Sequence, residues 1–189
     1  MNIKQKLRKL LLEGRHSDTK YGCIMLYLDI PKKQWKALQD NIDKKDLYEP
    51  KDDTGFGLEE DPHITILYGL HNDIKDEDIE KEINKIKDIS VKLESVSAFE
   101  NDYDVIKFDV KSDDLTKWNK VFREFPHTNS YPNYHPHCTI AYCNKGTAKK
   151  HNKILNDYLK DNKLDVKPSM IVYSKSNGTK KKYKLYGNK

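Results

Sequence analysis

Tyr134-His135-Pro136-His137-Cys138-Thr139-Ile140-Ala141-Tyr142 repeats the chemistry of Asp61-Pro62-His63-Ile64-Thr65-Ile66-Leu67-Tyr68, with the two histidines 74 positions apart. Each stretch has a proline, then His-x-Thr-Ile, then a short apolar run near a tyrosine. Runs rich in Ile, Thr, Leu and Tyr favour strands, and residues two apart on a strand project from the same face. His63 and Thr65 therefore point one way and Ile64 and Ile66 the other. The same parity joins His137 to Thr139, with Cys138 and Ile140 behind them. A lone His-x-Thr on a strand is ordinarily a hydrogen-bonded structural feature. Two in matching positions, each after a proline at the start of a strand, present a symmetrical pair of imidazoles and hydroxyls that packing alone does not require.

Outward from the motifs, each is preceded by a polar approach loop, over 44–62 and 126–136. Loops that long inside a compact domain are usually functional or disordered, and the first delivers the chain directly to His63. Before the first lies a strand over 21–30, then a helix opened by Pro31 at its first position and carrying Trp35, Leu38 and Ile42. After the first motif, Asp76-Glu77-Asp78 suits the positive end of a helix whose Ile79, Ile83 and Ile86 share a face. A hairpin follows over 89–110 with its turn at Glu100-Asn101-Asp102. Asp113 or Asp114 then caps a helix with Leu115, Trp118, Val121, Phe122 and Phe125. Past the second motif, Thr147 is a candidate cap for a helix with Ile154, Leu155, Tyr158 and Leu159. A last hairpin turns at Asn177-Gly178. With a short helix marked by Ile3, Leu7, Leu10 and Leu11, the expected order is α-β-α-β-α-β-β-α-β-α-β-β. Hairpins mixed with crossovers predict an α+β fold with mixed or antiparallel sheets, and no glycine-rich phosphate loop follows a strand.

The 189 residues suit one two-lobed domain, with 1–20 as an N-terminal helical extension. Charged residues make up 34% and apolar ones 36%, but the apolar residues fall in periodic blocks, so the chain folds rather than staying disordered. A net charge of +5 with interspersed signs favours anionic ligands mildly. Cys23, Cys138 and Cys143 fall in predicted strands without a zinc spacing and read as reduced core residues of a cytoplasmic protein. No run predicts a signal peptide or a membrane span.

The paired motifs in a chain of this size resemble the two-histidine (2H) phosphoesterase superfamily, whose two lobes each bring one motif to a central cleft. Further likeness lies in Tyr21-Gly22-Cys23, in 60–70, in Tyr103-Asp104-Val105-Ile106-Lys107-Phe108-Asp109-Val110 and above all in 125–137, which resemble the phage anti-CBASS protein 1 family. That resemblance implies a two-lobed 2H-like fold with sheets flanking a central cleft and helices outside. It also implies a metal-independent phosphodiesterase without cofactor that cuts the 3′-5′ bonds of cyclic di- or trinucleotide messengers of bacterial immunity. It would work in the host bacterial cytoplasm if phage-encoded. Tyr21 enters as a substrate-binding residue through this resemblance alone, and neither duplex DNA nor a membrane is an expected partner. Oligomeric state is not readable.

The chemistry also follows from the residues. Cutting a phosphodiester without a metal needs a base for the attacking oxygen and an acid for the leaving oxygen, and histidine serves either part near neutral pH. His63 and His137 are the candidate acid and base, in either assignment, and Thr65 and Thr139 the candidate donors to the non-bridging oxygens. A zinc site at His127, His135 and His137 competes for the same stretch, but Pro136 interrupts it and His63 is left without a part. Tyr48, Phe56, Tyr131 and Tyr134 could stack bases or simply pack the loops, and Lys145, Lys149 and Lys150 could steer a polyanion or sit on a solvated helix face. Two other activities stay open: opening 2′,3′-cyclic phosphates or 2′-5′ linkages in RNA end processing, and a non-catalytic nucleotide sponge.

Overall fold

A computed structural model describes residues 21–50, 55–128 and 133–185, so the helix expected near the N-terminus and Tyr131 lie outside the described residues. The elements follow the predicted order: β1 (Gly22–Asp29), α1 (Lys32–Gln39), a 3-10 turn (Lys44–Asp46), β2 (His63–Leu70), α2 (Asp76–Ile83), β3 (Lys92–Glu100), β4 (Tyr103–Lys111), α3 (Asp113–Phe122), β5 (His137–Asn144), α4 (Ala148–Asp161), β6 (Lys167–Ser174) and β7 (Lys180–Lys184). No described helix is long and apolar enough to cross a membrane.

Local chemistry refines three helix starts. Pro31 sits one position earlier than expected, outside α1, and its carbonyl accepts from Gln34 and Trp35 N–H. Ser112, rather than either aspartate, caps α3 by accepting from Leu115 N–H at 3.1 Å. Asp114 instead accepts from Ser90 N–H. At α4 the Thr147 hydroxyl donates back to the Asn144 carbonyl, and the Asp104 carboxylate of β4 accepts the free N–H groups of Thr147 and Ala148. A carboxylate there complements the helix dipole, and it fastens α4 to the sheet.

The strands form one seven-stranded antiparallel sheet in the order β3-β4-β5-β2-β1-β6-β7, so of the mixed or antiparallel alternatives the antiparallel one holds. The two expected lobes are its halves, β3-β4-β5 and β2-β1-β6-β7, which meet through a single ladder pair, Ile64 opposite Cys138. Ile24, Leu26, Ile64, Ile66, Ile106, Phe108, Cys138 and Ile140 face one way. They form a continuous apolar cluster with Trp35 and Leu38 of α1, Ile79 and Ile83 of α2, Leu115 and Phe122 of α3 and Leu155 of α4. All four described helices thus cover one face, each buried aliphatic or aromatic side chain contributing about 1.5–3 kcal/mol. The other face carries a smaller cluster, Cys23, Met25 and Val172 with Tyr27, Tyr68 and Met170 around it, and none of the described helices packs into that cluster. Cys23, Cys138 and Cys143 are buried and unpaired.

Beyond the central pair, β2 and β5 diverge, and each is completed by the approach loop of the other. Glu59 N–H donates to the Ile140 carbonyl, Tyr142 N–H to Gly57 and Tyr48 N–H to Tyr142, so the first loop lies along β5. Gln39 Nε2 of α1 donates to both the Glu59 and Ile140 carbonyls and holds that seam. Thr128 N–H donates to the Gly69 carbonyl and His71 N–H to Pro126, so the second loop lies along the far half of β2. Tyr134 Oη donates to the Thr65 carbonyl, and Asn119 Nδ2 to that of Ile66. Backbone groups that a full ladder would have satisfied are met in this way.

Candidate active site

His63 and His137 open β2 and β5 on the sheet face opposite the four described helices. The pair Ile64 opposite Cys138, counted outward antiparallel, sets His63 across from Thr139 and Thr65 across from His137. The two histidines are then diagonal neighbours, roughly 7–8 Å apart between strands by ordinary sheet dimensions. That spacing leaves room for one phosphate between two imidazoles. Four side chains from residues 74 positions apart thus form a four-cornered group with approximate two-fold symmetry.

The prolines orient the rings. His63 Nδ1 lies 2.8 Å from the Asp61 carbonyl, and His137 Nδ1 lies 2.9 Å from that of His135. Because a carbonyl only accepts, Nδ1 carries the proton in both, and Nε2 is the nitrogen whose lone pair takes or gives one. The sequence Pro-His sets this up: proline holds the residue before it extended, which brings the carbonyl two back under the ring. Phe125-Pro126-His127 makes the same contact, His127 Nδ1 to the Phe125 carbonyl at 2.8 Å, but faces the far end of β2 at Leu70. His127 and His137 therefore lie at opposite ends of β2, and among the described residues no three His, Cys, Asp or Glu side chains converge as a ligand set.

Each imidazole leans on an aromatic ring of its own lobe. Tyr27 of β1 stacks on His63 with centroids 5.5 Å apart, and Phe99 of β3 meets His137 edge-on at 4.9 Å. Behind His137 lies a buried cation: Lys107, 4% exposed, sits across from Thr139, with Nζ 2.5 Å from Asp109 Oδ1, 2.6 Å from Ser97 Oγ and 4.4 Å from the centre of the Phe99 ring. Asp109 stands across from His137. Burial lowers the His137 pKa below its ordinary 6.5, the His135 carbonyl opposes this, and Lys107 adds to the lowering. Burial would raise the Asp109 carboxyl, but its hydrogen bonds with Lys107 and Ser97 outweigh that and hold it below the usual range. Under Thr65, burial pushes the Cys23 thiol up to about 12, partly offset by its hydrogen bond with the Thr65 hydroxyl.

The structure therefore brings together His63, Thr65, His137 and Thr139. It does not bring Tyr21 to them: Tyr21 precedes Gly22, which pairs with Leu70 seven positions along β2 from His63, and its ring lies 5.8 Å from His71. At about 3.3 Å per residue that is more than 20 Å from the histidines. Tyr48 and Phe56 pack with Tyr103 and Tyr142 at the distal end of β5, so they fasten the first loop, and Lys150 is paired with Asp43 and Asp46. Tyr27, Phe99, Lys107 and Asp109 were not singled out from the sequence. Strand parity could have flagged them, since Lys107 and Asp109 alternate with buried Ile106 and Phe108 and a polar pair inside a core hairpin is unusual.

Residues 31–177 match the model of the 2′-5′ RNA ligase superfamily. Among solved structures the fold is similar to that of Usb1 from the yeast Kluyveromyces marxianus, at 12% identity and a TM-score of 0.56, over 90% of this chain and 100% of that one. The same yeast protein with uridine monophosphate matches at 12% identity and a TM-score of 0.54, with the same coverage. No curated protein matches by sequence.

Proposed function

The chain belongs to the 2′-5′ RNA ligase superfamily, and from that premise we propose that it is a metal-independent phosphodiesterase that cuts the 3′-5′ bonds of cyclic di- or trinucleotides, as the resemblance to the anti-CBASS family implies. One observation carries the catalytic part: both Nδ1 protons are directed at carbonyls, so Nε2 is the proton-exchanging nitrogen of each imidazole, and the strand register sets a threonine beside each histidine. A neutral Nε2 takes the proton of the attacking hydroxyl or water as its oxygen bonds to phosphorus. A protonated Nε2 on the other side gives its proton to the leaving ribose oxygen as that P–O bond breaks. The two imidazoles exchange protonation states, and solvent restores them. Thr65 and Thr139 donate to the non-bridging oxygens, where charge grows. The lowered His137 pKa suits the base, which gives His63 the part of acid.

The yeast neighbour with uridine monophosphate favours a second reading, in which this groove trims or opens the 3′ end of an RNA. Incubation in excess chelator with a cyclic dinucleotide, a cyclic trinucleotide and an RNA ending in a 2′,3′-cyclic phosphate separates the readings. Linear products from the cyclic oligonucleotides support the first, and turnover of the RNA end alone supports the second. Activity that disappears in chelator and returns with a divalent ion overturns the mechanism, and stoichiometric capture with intact ligand recovered after denaturation makes the protein a sponge.

A further inference from the structure

The strand register draws one continuous row across the sheet face opposite the four described helices: Lys184 of β7 pairs with Met170 of β6, Met170 with Tyr27 of β1, and Tyr27 with His63 of β2. Thr139 of β5 follows across from His63, then Lys107 of β4 and Ser97 of β3. Because paired residues of an antiparallel ladder share a face, Lys182 and Lys180, opposite Val172 and Ser174, join Lys184 on the face that holds the histidines. All three are exposed, and none has an ion-pair or side-chain hydrogen-bond partner among the described residues. Lys181 points to the other face and is held by Asp76 and Glu80 of α2. The alternation of one short strand, KKKYK, thus divides its lysines between a neutralised side and a purely cationic one. Between the cationic side and His63 lie the partly exposed Tyr27 and Met170, a short apolar floor resting on the buried Met25 and Val172.

We propose that Lys180, Lys182 and Lys184 form a phosphate track for the part of the substrate that is not being cut. This rests on the phosphodiesterase reading and extends it to a substrate class. Three strand steps of about 4.8 Å put the Lys184 backbone about 14 Å from that of His63. A ligand with one phosphate between the histidines meets the track only if it has further phosphates at that distance and bases to lie on the floor between. Single-stranded oligonucleotides with three or more phosphates, cyclic or linear, satisfy this, and a mononucleotide ester does not. Aromatic and thioether side chains flanked by lysines are the combination that holds single strands without reading their sequence.

The test compares wild type with K180Q/K182Q/K184Q on a cyclic trinucleotide, a 5′-phosphorylated linear trinucleotide and a mononucleotide nitrophenyl ester across a salt series. The preference in kcat/KM for either trinucleotide over the ester is expected to fall roughly tenfold through KM. The log-log salt slope should flatten by about 0.7 for each phosphate that a lysine no longer neutralises. An unaltered preference and slope overturn the track. The single variants K180Q, K182Q and K184Q, each of an exposed side chain, carry the test in smaller steps if the triple variant does not fold. The track is read apart from catalysis by anisotropy of a fluorescent single-stranded oligonucleotide on the H63A/H137A protein. Equal affinity with and without the β7 lysines sinks the track, whereas a wild type that binds but cuts nothing sinks the phosphodiesterase reading and leaves the track standing.

Discussion

At His63 and His137 the preceding proline sends the Nδ1 proton to the carbonyl two residues back, so one short local geometry, used twice, fixes which nitrogen meets substrate. Phe99 sets its ring edge-on against His137, where it helps keep water from the imidazole. A base must be neutral, and burial lowers the pKa of His137, so the acid limb of kcat/KM is expected below pH 6.5. Phe99→Ala admits water to the ring and moves that limb upward, toward 6.5, which a pH-rate profile measures. The same shift has a stability sign: the unfolded chain binds the proton more tightly than the folded one. This contribution is therefore lost as pH falls from 6.5 through the lowered value. Thr139→Val keeps the shape and removes one donor to the phosphate oxygens. It should cost about 100- to 1,000-fold in kcat with the melting temperature retained, as steady-state kinetics beside a thermal melt will show.

Among the elements, the diverging pair β2 and β5 depends on close backbone approach at the far end of β2. Gly69 has φ 101°, and a Cβ there would run into the Thr128 backbone, whose N–H donates to the Gly69 carbonyl. Gly69→Ala combines a left-handed backbone with overpacking. It should destabilise the protein by roughly 2–4 kcal/mol in urea unfolding, and by loosening 126–128 it should reduce activity although it touches no catalytic group. Element order, the faces of both motif strands and the four central residues were legible because period-two alternation and the repeated Pro-His-x-Thr are local signals. The exchange of approach loops between strands was not, because it rests on pairs such as Glu59 with Ile140 and Gly69 with Thr128, which no local pattern announces. Tyr21, taken up through the resemblance alone, stands at the far end of β2 from His63, because β1 runs antiparallel to it. The Ser112 and Asp104 caps were missed because Asp113, Asp114 and Thr147 offered equally good chemistry nearby.

On the scale of the whole molecule, the two lobes share one ladder pair in the sheet but one apolar cluster beneath it, in which Ile64 and Cys138 lie with side chains from all four described helices. The groove therefore rests on a common core, and thermal unfolding is expected as one transition whose calorimetric and van't Hoff enthalpies agree. Two resolved transitions would mean that the lobes melt apart. A shared core is what allows imidazoles from the two lobes to act as one device, and residues that act as a unit lose activity non-additively. The most direct test is single-turnover cleavage of a cyclic trinucleotide in excess chelator by wild type, H63A, H137A and H63A/H137A. Each single variant should fall by about 100- to 10,000-fold, and the double variant should be little worse than the poorer single. Single variants that keep most of the wild-type rate, or losses that multiply in the double, would contradict two histidines working across one phosphate.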